Sequence, residues 1–445
     1  MRNNKEYRVS VIVTVYNTEQ FLRQCLDSIV NQTLYEIEII CINDGSTDGS
    51  IEIIKEFALY DRRICVYNKE NEGLGGASAR NLGLEKAQGE YISILDSDDF
   101  FELDMLKKAA DKADLTNADI VVFGGYEFDN ENGNTNIAMS ILNEKAIPNK
   151  EIFSYLDCKE DIYQLSQGMA WNKLYRRTFL DKHNLQFQSI KYTDDAYFTF
   201  ANMVLAERIT VLNEYLCYYR VNTHSNQTAG LANYPDSAYL PYVALKDSLI
   251  KWGIYDSVKR SFINCAISFF RYFYDKIDRY EPFKYLHDKY RNDIFDAFDI
   301  CGQKPDFFYD RRIFQWIAQV AKNSAEELAF KSARAYGGDT TTGVLRFKFP
   351  YDLIPRKCKI AIIGAGIMGK HYYSQVILSS YCDVVLWVEK ANPTKTSYIH
   401  SYEEMKNTEF DFAIIAYAQS DLIDYAVTYL GDIGVTKEKI ILGGM

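Results

Sequence analysis

The segment LDSDDF, residues 95–100, puts two carboxylates, Asp96 and Asp98, one residue apart directly behind the apolar run YISIL. Acids so spaced at the end of a buried strand can share one cleft, where they repel each other until a cation arrives. Oxygen donors of this kind suit Mg²⁺ or Mn²⁺, which commonly take a few carboxylates together with substrate phosphates. D-x-D by itself is a weak signal, since surface turns use the same residues. Its weight comes from three further polar loops that follow strand-like runs: Tyr16-Asn17-Thr18, Asn43-Asp44-Gly45-Ser46, and Asn71-Glu72-Gly73. Ser46 and Thr47 also read as the capped start of a helix.

The elements that must carry these loops are legible in the hydrophobic pattern. VSVIVTV (residues 9–15), IEIICI (37–42), residues 64–67 and YISIL (91–95) are strand-length runs, the first two rich in β-branched residues. Between the first two lies a helix whose buried face is Phe21, Leu22, Cys25 and Ile29, with Asn17 or Thr18 as its cap. A second helix carries Ile51, Ile54, Phe57 and Ala58, and a third runs through Leu84 after a Gly-rich loop. The alternation βαβαβαβ predicts a parallel sheet covered by helices, with ligands beyond the carboxyl ends of its strands.

The 445 residues carry 50 Lys and Arg against 61 Asp and Glu, a formal charge of −11, which argues against a nucleic-acid-coating protein. At about 150 residues per domain the length predicts two or three domains. No apolar run approaches the roughly 18–20 residues of a membrane span, and MRNNKEYR does not read as a secretory signal, so a cytoplasmic chain is expected. Nine Cys without a C-x-x-C pair fit reduced thiols better than disulfides or zinc.

Three blocks, VSVIVTVYNTEQFLRQCLDSIVNQT, EIICINDGSTDGS and GLGGASARNLGLEKAQGEYISILDSDD, resemble the family 2 glycosyltransferases of GT-A fold. AWNKLYRR (170–177), YTDDAYF (192–198) and YYRVNTHSNQT (218–228) continue the likeness more loosely over the first half of the chain. The resemblance implies transfer of a sugar from a nucleotide sugar, usually a UDP-sugar, to an acceptor hydroxyl with inversion. It implies that Asp44 hydrogen-bonds the nucleobase, with Tyr16, Asn17 and Asn71 lining its pocket, and that Arg80 contacts the nucleotide. Asp96 would reach ribose or metal, and Asp98 would be the principal metal ligand. The family's acidic pair corresponds to Asp194-Asp195, whose second member would be the general base. Asp replaces the usual Glu at the first position, and both acids also suit helix capping. Arg220 and Ser225 match a late loop that closes over the diphosphate, with His224 beside them as a further candidate metal ligand. Trp171, Asn172 and Lys173 are expected at the sugar end of the cleft, unless Trp171 belongs to the core.

Residues 238–331 lack strand alternation and read as helices, and SFINCAISFFRYFYDKI (261–277) has too many aromatics for one narrow stripe. YGGDTTTG (336–343) is the best linker candidate. The expected organisation is a GT-A catalytic domain over 1–230, a helical region and linker over 231–343, and a small Rossmann-like α/β domain over 344–445. In the last, Gly364, Gly366 and Gly369 follow a strand and open a helix, and Glu389 ends the next strand, as in dinucleotide-binding units. The same glycines also serve close helix–strand packing, so NAD(P) binding and a structural or oligomerising role both stay open. RFKFPYDLIPRKCK (346–359) reads as a solvated connector or as a contact with an anionic membrane surface.

The function expected is a metal-dependent, inverting glycosyltransferase using Mn²⁺ or Mg²⁺, with a carbohydrate or lipid-linked glycan acceptor, in bacterial surface-polysaccharide or wall-polymer synthesis. The alternatives are a non-catalytic nucleotide-sugar-binding module with a dinucleotide-sensing tail, and an NAD(P)-dependent oxidoreductase.

Overall fold

β-Branched side chains are restricted at χ1 and fit a pleated, buried surface, so VSVIVTV extends as β1 (Val9–Val15). It lies parallel to β2 (Ile37–Asp44) on one side and β4 (Tyr91–Asp96) on the other, and β3 (Ile64–Lys69) pairs with β2. The strands run further than the hydrophobic pattern alone indicates. Asn43 and Asp44 are the last residues of β2 and Asp96 the last of β4, so these polar groups sit on the sheet rather than in loops. The computed structural model describes residues 7–223, 227–277, 279–329, 349–379, 381–390, 399–417 and 419–443.

Helices α1 (Glu19–Val30), α2 (Ser50–Tyr60) and α3 (Ala77–Lys86) make the crossovers. The predicted face of α1 is buried at Phe21, Leu22, Cys25 and Ile29. Its expected side-chain cap is replaced by a cap from another loop. Thr18 occupies the cap position without a side-chain bond, while the Thr18 and Glu19 N–H groups donate to Ser50 Oγ and Asp48 Oδ2, both at 3.0 Å. The loops after β1 and β2 are thereby stitched together at the ligand end of the sheet.

The sheet continues beyond the parallel part. β5 (Phe100–Phe101) follows the acidic loop, α4 (Met105–Thr116) packs beneath, and β6 (Ile120–Asp129), β7 (Thr135–Ile137), β8 (Lys173–Arg176) and β9 (Ile209–Val221) complete it. The order is β3-β2-β1-β4-β8-β6-β9-β5, with β7 on β6. β8 is antiparallel to β4 and β6, whereas β9 is parallel to β6. This is the mixed sheet of a GT-A fold. Its consequence is that the far end of β9, more than a hundred residues downstream, returns to β5 and the acidic loop.

After α5 (Arg177–His183) and α6 (Ala196–Leu205) come α7 (Leu240–Lys251), α8 (Tyr255–Lys276) and α9 (Tyr280–Lys289). On α8, Phe262, Ile263, Ala266, Ile267, Phe270 and Phe273 are all buried, more than one stripe's worth, as its aromatic content predicts. One compact unit spans residues 1–315 and another 316–445. The linker candidate at 336–343 lies outside the described residues.

In the second unit, β10 (Lys359–Ile363), β11 (Asp383–Val388), β12 (Phe412–Ile415) and β13 (Ile440–Leu442) form a parallel sheet in the order β11-β10-β12-β13, with apolar clusters on both faces. Phe349 and Ile354, apolar members of the suspected membrane-contacting run, are buried in one of these clusters. No described helix is long and apolar enough to cross a membrane.

A Cβ added at Gly83 of α3 would lie 2.3 Å from Ile12 Cγ2 on β1, so the helix packs on the sheet with no room for a methyl group. Gly83→Ala is expected to destabilise this unit by about 1–3 kcal/mol in urea unfolding. Gly431→Ala, at a helical position with open space around it, should be neutral or slightly stabilising.

Candidate active site

Arg80 projects from α3 into the ends of the strands, and its guanidinium holds two carboxylates at once. Nη2 donates to Asp96 Oδ1 and Nη1 to Asp194 Oδ2, both at 2.6 Å. Burial works against this charge, but Asp194, Asp96 and Asp195 together hold the guanidinium well above its ordinary pKa. Arg80, expected to contact the nucleotide, is thus 8% exposed and spent on tying the strand-four acid to the acidic pair. Both terminal nitrogens are engaged by protein carboxylates, whereas Nε is buried without a hydrogen-bond partner, so the observed contacts of Arg80 are with the acids that flank the cleft.

Arg220 also departs from expectation. It lies on β9, not on a closing loop, and is 5% exposed. Nε donates to the Asp98 carbonyl (2.7 Å), Nη1 to Asn130 Oδ1 (3.0 Å) and Nη2 to Gln24 Oε1 (2.7 Å), while its backbone N–H reaches Asp99 Oδ1 (2.8 Å). Phe21, Phe100 and Phe128 surround the guanidinium, each within 5.4 Å of a ring centre. With every nitrogen engaged, Arg220 braces the acidic loop from behind instead of reaching a diphosphate. His224 and Ser225 lie outside the described residues.

Within the loop, burial first and the neighbouring Asp96 second push the Asp98 carboxyl up to about 6. Asp99 is likewise pushed well above the usual carboxylate range by burial and by Asp98, and its Oδ2 is buried without a hydrogen-bond partner. Such a site is short of positive charge. Among the described residues no three His, Cys, Asp or Glu side chains form a ready-made cage. A divalent ion held by one or two carboxylates would complete its shell from phosphate oxygens and water, which is how Mg²⁺ is commonly bound. The donor set at Asp96 and Asp98 fits that role.

At the other end, Asp44 is 3% exposed, and its two oxygens accept from Lys69 Nζ (2.7 Å) and Asn71 Nδ2 (3.0 Å). Parallel register sets Lys69 opposite Asp44. Each carboxylate oxygen still has a lone pair to offer. Asn17 has a positive φ of 51° and accepts the Thr47 N–H at 2.7 Å, leaving the Tyr16 ring half exposed beside it. Asp44, Asn71, Asn17 and Tyr16 therefore gather at the ends of β1–β3.

Asp195 occupies the N-cap of α6, yet its side chain makes no capping bond. Two residues earlier Thr193 takes φ +59°, a strained setting for a β-branched residue and one typical of functional loops. Burial, then the Asp194 charge, push Asp195 up to about 7 against the pull of Arg80.

Trp171, Asn172 and Lys173 do not line the cleft. They are 3%, 0% and 0% exposed: Trp171 belongs to the main hydrophobic core, Asn172 donates to the Phe123 and Ile141 carbonyls, and Lys173 opens the central strand β8. Lys173 Nζ lies within hydrogen-bond distance of Ser166 Oγ, Asn172 Oδ1 and the Gln167 and Met169 carbonyls. The aromatic ring that does meet solvent here is Tyr219, stacked on Trp171. Sequence reasoning assigned no role to Tyr219, Lys69, Asp99, Gln24 or Asn130. Only Asp99 had a usable signal, its place in the acidic run that ends strand four, whereas the pairing of Lys69 with Asp44 follows from strand register.

In the second unit, Gly364 adopts φ +112°, and a Cβ at Gly369 would sit 1.9 Å from the Gly364 carbonyl oxygen. Glu389 accepts the Ala365 N–H (2.6 Å) and the Tyr417 hydroxyl (2.7 Å). Three of the four dinucleotide candidates thus serve the turn itself, and Gly366 alone has open space at its α-carbon.

Residues 10–183 match the family model described as Glycosyl transferase family 2. An uncharacterized glycosyltransferase of Haemophilus influenzae is 38% identical over 191 residues, covering 43% of this chain and 70% of that protein. The chain belongs to glycosyltransferase family 2. Glycosyltransferase GlyA of Streptococcus pneumoniae is 38% identical over 220 residues, 49% of this chain but only 31% of GlyA. Poly(ribitol-phosphate) beta-glucosyltransferase of Bacillus spizizenii is 30% identical over 223 residues, 48% of this chain and 32% of its own length. The glycosyltransferase described here therefore spans about a third of the length of these two relatives. Its acidic pair and the end of β9 lie beyond the matched family segment and reach the site through the fold.

The Asp195 environment has a consequence for stability. A carboxyl at about 7 in the fold and about 3.9 in the unfolded chain binds its proton more tightly when folded. Its contribution is favourable at low pH and is lost as pH rises through this window. Asp195→Asn should gain stability relative to the parent between about pH 4 and pH 7, read as a growing difference in thermal midpoint. A difference that stays constant with pH would contradict the raised pKa.

Proposed function

We propose that this glycosyltransferase moves a sugar from a nucleotide sugar, in the first instance a UDP-sugar, to an acceptor hydroxyl with inversion at the anomeric carbon. The reading is supported above all by the two-handed grip of Arg80, which keeps the acid at the end of β4 and the acidic pair before α6 within one guanidinium's span. An in-line displacement needs a leaving-group side and a base side that a single sugar ring can bridge.

In this mechanism Asp44, oriented by Lys69 and Asn71, accepts a nucleobase N–H, and Tyr16 and Asn17 flank the base. Asp98, with Asp96, would hold Mn²⁺ or Mg²⁺. Such an ion, when bound, supplies positive charge to the diphosphate as it leaves. Asp195, ionised and free of capping duty, takes the acceptor's hydroxyl proton. The acceptor oxygen bonds to the anomeric carbon from the face opposite the diphosphate, and the electron pair of the breaking C–O bond departs with the nucleoside diphosphate. Asp194 stays bound to Arg80 and fixes the segment that carries the base. A place in surface-polysaccharide or wall-polymer synthesis is supported by the named activity of the Bacillus spizizenii relative.

Incubation with a panel of nucleotide sugars, Mn²⁺ and glycan acceptors should give nucleotide release coupled to product of inverted configuration, and chelation should abolish it. Asp98→Ala should lose metal-stimulated turnover, and Asp195→Asn should lower kcat by about 10²–10⁴-fold, as for loss of a general base. Because the base must be ionised, kcat/KM should rise with pH through an apparent pKa near 7. Transfer persisting at parental rate in both variants would refute these assignments.

A further inference from the structure

Tyr219 is 43% exposed although its neighbours on β9 are engaged in the protein: Tyr218 donates to Glu102 (2.5 Å) and Arg220 is buried. Strand alternation sends Tyr219 to the other face of the sheet from these two. There one side of its ring lies against Trp171, centroids 5.7 Å apart and planes within 8° of parallel. Trp171 is buried, so the tyrosine ring is backed by core and cannot fold inward. The face turned away from Trp171 is outside that stack, and the residue as a whole keeps 43% of its surface exposed.

The ring also stands at the catalytic cleft. The next residue's N–H binds Asp99 and the next residue's side chain binds the Asp98 carbonyl. The Tyr219 hydroxyl, held up chiefly by burial, also feels the charges of Asp99, Asp98 and Asp96. Tyr272 of α8, 45% exposed, is within electrostatic reach of it.

We infer that the outward face of Tyr219 is a platform on which a pyranose ring of the substrate packs its apolar C–H face. This deepens the transferase reading above and rests on it. A flat amphipathic ring held rigid by stacking offers contact area at little cost in conformational entropy. The shared chemistry is a hexopyranose, and the ring that lands there belongs either to the donor or to the acceptor.

Titration calorimetry separates the two. The probes are UDP, three UDP-hexoses (glucose, galactose, N-acetylglucosamine) with Mn²⁺, and the matching methyl β-pyranosides added to protein saturated with UDP. In Tyr219→Leu, which still covers Trp171, UDP affinity should stay within about twofold, while the best-bound sugar weakens roughly tenfold. Weakening among the UDP-hexoses assigns the donor ring, and weakening among the pyranosides the acceptor ring. Tyr219→Phe, which keeps the ring, should recover the affinity that Leu loses. UDP binding with no sugar weakened in Tyr219→Leu overturns the platform alone. Failure of the parent protein to bind UDP overturns the donor reading as well.

Discussion

A guanidinium with little access to water needs partners for its charge, and Arg80 finds them by sitting between the carboxylates of Asp96 and Asp194. Breaking a buried pair of this sort typically costs about 3–5 kcal/mol, because the remaining charge is left uncompensated. The same grip is a distance constraint. It joins the end of a strand in the parallel half of the sheet to a segment nearly a hundred residues later, and so sets how far the two walls of the cleft can separate. The loops around it follow: the turns after β1 and β2 cap each other's helices, and Asp195 is presented at a helix start without being consumed by it.

The second arginine solves a different problem. Three acids within four residues would repel one another at the end of β4, and Arg220 answers from behind with its backbone N–H on Asp99 and its side chain on the Asp98 carbonyl. Its own charge is spread over three aromatic faces and two side-chain amides, so it steadies the loop without neutralising the carboxylate of Asp98. The cluster keeps an appetite for a cation, as the raised Asp98 and Asp99 carboxyls express. This is a stability–function compromise: buried anions cost folding energy and are useful only when a ligand brings positive charge.

Much of this was legible from the chain alone. The alternation of apolar runs located β1 to β4, and the rule that ligands gather at carboxyl ends of parallel strands singled out Asn17, Asp44, Asn71 and the Asp96–Asp98 loop. Arginine roles were not legible. Arg80 and Arg220 read as phosphate donors because Arg is the usual partner of phosphate, and nothing local records that Asp194, Gln24 or Asn130 would take their nitrogens first. Trp171 read as a sugar platform for a similar reason: its type suits the task, but it joins the hydrophobic core just before β8, and the exposed ring stacked on it is Tyr219. In the second unit the glycine spacing is real, yet Gly369 and Glu389 are occupied in closing the turn.

Residue order thus determined the family, the parallel half of the sheet and which acids stand at its edge, since those follow from periodicities of two and 3.6 residues and from short motifs. Tertiary structure decided which charges are spent on one another and which remain for a ligand. The physical reason is range: hydrophobic patterning acts between near neighbours in sequence, whereas charge pairing, burial and ring stacking depend on residues that only the folded sheet brings within a few ångströms.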